Sequence, residues 1–363
     1  MKKFYTLSLA LVSLVTVFAQ DGAPATPYYN NFDFEQTGNA LKNALADKIT
    51  STHINELTYT PGVWNALKET DLDPENSSYV LLVYGFSSSV CPTSPSNDND
   101  HRRRPFWSNG GSNNCEWNRE HIFPQSLGTP ELGQVGAGAD AHHLRACDVD
   151  RNGIRGNKLF AAGSGNSGDS GGGWYPGDEW KGDVARILMY LYLRYPDQCK
   201  PTNAVTGSST VAGDPHMLEI LLQWNAEDPV SEYEDYRNTY LGDLNNFYAQ
   251  GNRNPFIDNP YLATQIWGGP VAQDRWGMLS TEQVFESQLS IYPNPAVNNE
   301  VNIYSETELD NIQLINVNGQ LIQYIEKPKA ADNTYRLQHL PKGFYILKLS
   351  SDNQTSTKKI IVN

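Results

Sequence analysis

The sequence predicts an α+β chain: a helix-rich region followed by a small all-β, sandwich-like module. Three observations predict it. Segments with apolar residues at helical spacing recur between Asn39 and Tyr248. Among them lies one continuous apolar run, Tyr79–Phe86, which reads as a buried strand. From Phe285 onward the pattern becomes apolar–polar alternation, broken by Asn-Pro, Asn-Asn and Asn-Gly turns.

Residues 1–19, MKKFYTLSLALVSLVTVFA, read as a secretory signal. Lys2 and Lys3 form its basic start, Leu7 to Phe18 its apolar run, and Val17 and Ala19 the small residues a cleavage site needs. That run is too short to span a bilayer comfortably, and no later segment is apolar enough to cross one. The expectation is an exported monomer without a membrane span. Export permits disulfides among Cys91, Cys115, Cys147 and Cys199, and four cysteines allow three pairings. A bridge from Cys115 to Cys147 would brace the two polar clusters described below. No C-x-x-C spacing supports a thiolate zinc site.

The elements follow in order. Asn39–Ile54 has Leu41, Leu45 and Ile49 on one helical face. Ser87–Asn114 is a polar loop in which Arg102, Arg103 and Arg104 form a candidate phosphate-steering patch. Pro124 prevents Ile122–Leu127 from being a regular strand or helix interior. Ala161–Gly177 is rich in glycine and serine and reads as loop. Lys181–Tyr195 is an amphipathic helix whose Arg186 reads as a salt-bridge partner. Met217–Asn225 and Asp228–Tyr248 read as two further helices, with Tyr233, Tyr236 and Tyr240 at helical spacing as core. Gly251–Pro260 is turn-rich.

Two polar clusters carry the chemistry. NCEWNREHIFPQS (114–126) sets a carboxylate, Glu120, beside a candidate general base, His121. DAHHLRACDVDRNGIRGN (140–157) supplies Asn152 as a neutral oxygen ligand, with Arg145, Arg151 and Arg155 as anion binders. Hydrolysis of a phosphodiester needs these groups: a metal to offset charge, an imidazole to deprotonate water, guanidiniums to hold the phosphate. The net charge of −14 is awkward for a nucleic-acid partner. Between His101 and Lys158, however, eight basic residues face six acidic ones, a local positive island.

The run R-E-H-x-x-P-x-S, then D-x-H-x-L and N-G-x-R-x-N, resembles the endonuclease I family of secreted, metal-dependent nucleases. KGDVARILMYLYLRY (181–195) and QGNRNPFIDNP (250–260) agree with it, and the resemblance runs from about Tyr28 to Trp267. It implies a ββα-metal core with added helices. By position, His121 resembles the general base, Glu120 and Asn152 the metal ligands, and Arg155 and Arg253 the phosphate-binding groups. His142 resembles a group that orients neighbours, which leaves His143 exposed if both lie on one strand. The implied cofactor is Mg²⁺ or another hard divalent cation such as Ca²⁺ or Mn²⁺. The implied substrate is DNA, with RNA as a second class, cut with little sequence specificity.

IYPNP, the N-G-Q hairpin, LPKGFYILK and the ending KKIIVN resemble the C-terminal sorting domains of the type IX secretion system. That implies secretion machinery as a partner and a secreted or cell-surface location. The expected organisation is a signal at 1–19, a catalytic domain at 20–283 and a sorting domain at 284–363. Two rivals stand beside this reading. One is a zinc hydrolase of another class, although the chain has no H-E-x-x-H. The other is a non-catalytic surface-binding protein.

Overall fold

The structure is a computed structural model, and it describes residues 24–85, 102–111, 115–278, 285, 288–351 and 354–363. The signal sequence, Cys91 and most of the polar loop before Asn114 therefore lie outside the described residues. The chain divides into two compact units, residues 1–276 and 277–363. Among the described residues no helix is long and apolar enough to cross a membrane.

The first unit opens with helix α1 (Gly38–Ser51), which buries Leu41, Leu45 and Ile49 as their spacing predicts. A short π-helical turn, Tyr59–Val63, leads into α2 (Trp64–Thr70). Strands β1 (Leu72–Asp73), β2 (Asn76–Leu81) and β3 (Arg103–Pro105) form one antiparallel sheet in that order. The predicted strand at Tyr79–Phe86 is thus shifted towards the N-terminus. It stops regular pairing at Leu81, Val83 makes one bridge to Cys147, and Tyr84 turns the chain at φ +72°.

Strands β4 (Trp117–His121) and β5 (Leu144–Asp148) pair antiparallel, and α3 (Val149–Arg155) follows at once. This is the ββα unit. Trp117, Leu144 and Ala146 bury one face of it against Val63, Leu67, Val80 and Leu82. The segment read as glycine-rich loop contains a tight hairpin of β6 (Gly168–Ser170) and β7 (Gly173–Tyr175).

Helix α4 (Lys181–Arg194) is buried from Gly182 to Leu193, so it forms the centre of the helical region. Around it lie α5 (Glu219–Glu227), α6 (Glu232–Gly242), α7 (Pro255–Asp258) and α8 (Tyr261–Trp267). Helix α6 is shorter than its tyrosine pattern suggests. Ser231 and Glu234 form a capping box that fixes its start. Tyr233 is buried, whereas Tyr236 is 47% exposed, so the tyrosine stripe is core at one end only.

The second unit is all β: β8 (Leu289–Val297), β9 (Glu300–Ser305), β10 (Asn311–Asn316), β11 (Leu321–Glu326), β12 (Thr334–Leu337), β13 (Gly343–Ser351) and β14 (Gln354–Val362). They form one sheet in the order β11-β10-β13-β14-β8-β9-β12, antiparallel except between β14 and β8. Alternate residues point inward, so Val301, Ile303, Ile312, Leu314, Tyr335, Leu347 and Leu349 share one core. Asn318 and Gly319 sit in the β10–β11 hairpin turn, with Gly319 at φ +78°.

Candidate active site

The ββα unit brings the two polar clusters together. Antiparallel register sets Glu120 opposite Arg145 and His121 opposite Leu144. Asp148 ends β5 and caps α3, its carboxylate accepting the Arg151 N–H at 3.0 Å. That cap starts the helix where Asn152 faces the β4 backbone. The Asn152 amide nitrogen donates to Asn118 Oδ1 at 2.8 Å and to the Arg119 carbonyl at 3.3 Å. With its N–H groups turned to β4, the Asn152 carbonyl oxygen is left for another partner.

His121 is 8% exposed. Its Nε2 lies 3.1 Å from the Gly138 carbonyl oxygen. A carbonyl can only accept, so Nε2 carries the proton and Nδ1 keeps the lone pair. Burial, and then the neighbouring His143, pushes the imidazole pKa down to about 3. The ring is therefore neutral at physiological pH. Tyr59 stacks on it at 5.7 Å between centroids, and His143 meets it edge-on at 5.2 Å.

The 3₁₀ turn Gly136–Ala139 presents both carbonyls that orient these histidines. His143 donates from Nδ1 to the Ala137 carbonyl at 2.7 Å and accepts the Phe123 N–H at Nε2, 2.9 Å. Both its nitrogens are therefore spent on backbone. His143 is fully buried, contrary to the expectation of an exposed ring. Strand alternation does not apply to it, because β5 begins only at Leu144 and residues 141–143 form a turn. His142 is also buried and donates to the Asn252 carbonyl at 3.0 Å, so it orients the closing segment of the unit.

Glu120 is 2% exposed, and burial pushes its pKa up to about 7 despite the nearby Arg155 charge. Its Oε1 lies 3.0 Å from Arg155 Nη1, yet it makes no aligned hydrogen bond. The buried Tyr84 hydroxyl, another neighbour, is likewise left without an aligned hydrogen-bond partner.

The arginines are placed differently from the sequence reading. Arg155 is buried, donating to the His121 carbonyl at 3.0 Å and the Ile122 carbonyl at 2.8 Å. Arg253 grips Asp258 through Nε at 3.0 Å from both carboxylate oxygens. Arg145 pairs with Asp183 at 2.9 Å, and Arg104 with Asp148 at 3.0 Å. Arg103 pairs with Asp73 at 2.6 Å, and Arg102 pairs with Glu179. Arg151 donates to the Ser167 carbonyl at 2.8 Å. The expected positive island and steering patch are thus largely spent on internal ion pairs. Arg186 is the salt-bridge partner expected, binding Glu234 through two 2.7 Å contacts.

The closing segment braces the fold. Gln250 and the Tyr190 hydroxyl hold the buried Asp140 carboxylate at 3.0 and 2.8 Å, and Asn252 donates to that hydroxyl at 2.7 Å. Asn254 caps α7, accepting the Phe256 N–H at 3.0 Å. A bridge between Cys115 and Cys147 is not formed, because Cys147 and Cys199 are buried free thiols. Sequence reasoning missed Gly138, Asn118 and Tyr59. Only the small-residue run GAGA (136–139) hints at the turn that holds the histidines.

A family model described as Endonuclease I matches residues 37–261, and one described as a secretion system C-terminal sorting domain matches residues 290–363. An extracellular ribonuclease of Bacillus subtilis (strain 168) is 38% identical over 263 residues, covering 68% of this chain and 82% of that protein. An extracellular ribonuclease of Bacillus amyloliquefaciens is 40% identical over 244 residues, covering 64% of this chain and 75% of that one. A solved structure of PorZ, a surface component of the Porphyromonas gingivalis type-IX secretion system, matches at 14% identity and a TM-score of 0.19. It covers 27% of this chain and 14% of that one, a likeness too slight to carry fold or function. The chain belongs to the endonuclease I family: it is a secreted nuclease, a phosphodiester hydrolase, with a type IX sorting domain at its C-terminal end.

Proposed function

We propose that the enzyme cuts DNA and RNA internally with little sequence preference, using His121 as general base and one divalent cation held by Glu120 and Asn152. The observation that carries this is the fixed tautomer of His121. The Gly138 carbonyl takes the Nε2 proton at 3.1 Å, so the free Nδ1 lone pair is preset to accept a proton from water. The low pKa keeps that nitrogen unprotonated at working pH.

The residues fit a metal. Glu120 Oε1 is a buried carboxylate oxygen without an aligned hydrogen bond, and Asn152 directs its amide hydrogens away to β4. Among the described residues no three His, Cys, Asp or Glu side chains converge, so the candidate set is one carboxylate and one amide oxygen. Such a set suits a hard cation, Mg²⁺ or alternatively Ca²⁺ or Mn²⁺. When bound, the cation would neutralise charge on the phosphate and the departing 3′-oxygen. His121 takes the water proton, water attacks phosphorus in line, and the cut leaves a 5′-phosphate. Arg155 is assigned a bracing role: it holds the His121 and Ile122 carbonyls and offsets the Glu120 charge. Arg253 is likewise assigned to Asp258.

Cys115 is disulfide-bonded, whereas Cys147 and Cys199 are free thiols. Domain limits of 20–283 and 284–363 remain our proposal for the mature chain. The test is digestion of plasmid DNA and of structured RNA by purified protein. Cleavage of both that Mg²⁺ supports and a chelator abolishes is the expected result. Activity that survives chelation would refute the metal-assisted reading.

A further inference from the structure

Arg119 differs from most arginines around the site. Its side chain reaches the same side of β4 as His121, because both pack on Tyr59. The guanidinium lies 3.5 Å over the Tyr59 ring and 4.4 Å over the Trp64 ring, with one N–H donating to Thr60 Oγ1 at 3.1 Å. Among the described residues no carboxylate pairs with it, whereas Arg102, Arg103, Arg104, Arg145 and Arg155 are all paired. It is only half-buried. A positive charge beside the candidate base, held over two aromatic rings, is suited to a phosphate oxygen.

An aromatic surface continues from this point. Leu57 packs against both the cluster that holds Tyr59 and Trp64 and the cluster that holds Tyr240 and Tyr248. Tyr248 meets Phe247 edge-on at 4.9 Å, and Tyr240 lies 6.4 Å from Tyr236. Phe247 is 87% exposed, an unusual state for so large an apolar ring. Burial, and then the charge of Glu69 at the far end of α2, pushes the Tyr236 and Tyr240 hydroxyls up, and the same negative charge disfavours phosphates there. That end therefore suits base faces, which carry no charge. A duplex keeps its base faces stacked inside, whereas a single strand can lay them on aromatic rings.

We propose that Arg119 and the aromatic surface from Tyr59 to Phe247 form a subsite for the nucleotides flanking the scissile phosphate, giving preference for single-stranded nucleic acid. This rests on the functional reading above, because it extends the same site. Arg119 holds a phosphate, and Tyr236, Tyr240, Tyr248 and Phe247 stack the adjoining bases. Stacking also supplies affinity that salt does not screen, useful in a chain whose charge is −14.

The test is binding of fluorescently labelled oligonucleotides of about twelve nucleotides, single-stranded or as a hairpin duplex, in chelator so that nothing is cut. The full chain is expected to bind the single strand about tenfold more tightly than the duplex. Joint Tyr236→Ala and Phe247→Ala substitution should weaken single-strand binding about tenfold or more and leave duplex binding unchanged, since each stacked base contributes substantially. Arg119→Gln should weaken both and flatten the dependence on salt by about one phosphate contact. Equal binding of the two forms by the native chain would overturn the proposal. So would an aromatic double variant that folds and binds the single strand normally. Cleavage assays with metal distinguish the two levels: a chain that cuts nothing refutes the nuclease site, and a chain that cuts both forms without an aromatic effect refutes only this subsite.

Discussion

As the proposed metal ligand, Glu120 would tie pH to metal binding. Burial raises its pKa to about 7, so in the metal-free enzyme the carboxyl is largely protonated below that pH. A cation must then expel a proton to bind, and its affinity should fall about tenfold per pH unit as pH drops below about 7. Calorimetric titration of Mg²⁺ between pH 5 and 8 measures this; a flat profile would contradict the ligand assignment. His121 adds no titration in that window, because its pKa is pushed down to about 3. Asn152 is neutral, so Asn152→Ala should weaken Mg²⁺ binding less than Glu120→Ala and should leave the pH slope intact, as the same titration would report. That Glu120, His121 and Asn152 come to lie on adjoining elements, β4 and α3, was legible in the sequence because ordered motifs carry all three. The arginines were not. A guanidinium in a sequence looks available, yet Asp183 and Asp148 from other segments, and Asp258 five residues after Arg253, occupy three of them.

At the scale of elements, the turn Gly136–Ala139 does more than its short length suggests. It supplies the carbonyl that sets the His121 tautomer and the one that holds His143. A Cβ on Gly138 would lie 1.9 Å from the Gly133 carbonyl oxygen, which is backbone and cannot swing aside. Gly138→Ala should therefore open the turn, destabilise the protein by ~1–3 kcal/mol, and lower kcat more than KM. Thermal melting and steady-state kinetics check both; an unchanged kcat would mean that the carbonyl is not what presets the base. Long helices were legible from spacing, as at Leu41, Leu45 and Ile49. The strand at Tyr79 was misplaced because an apolar run fixes burial, not pairing limits, and Tyr84 ends it by turning. His143 was misread because alternation was applied to a turn.

The whole molecule joins two units of different character. Residues 277–363 form a β unit with its own core. None of the proposed catalytic or metal-holding residues lies in it. A chain ending near Glu282 should therefore keep wild-type kcat and KM in vitro. In the native host the same truncation should leave the protein in the periplasm, as fractionation and blotting would show. Secretion without the sorting domain would contradict the role that its family match supports. The central claim, that His121 is the base, is tested most directly by the cleavage rate of full-length His121→Ala on a labelled oligonucleotide at saturating Mg²⁺. A folded variant slowed by about 10²–10⁴ with metal affinity retained is the predicted result. A folded variant that cuts at the wild-type rate would contradict the account.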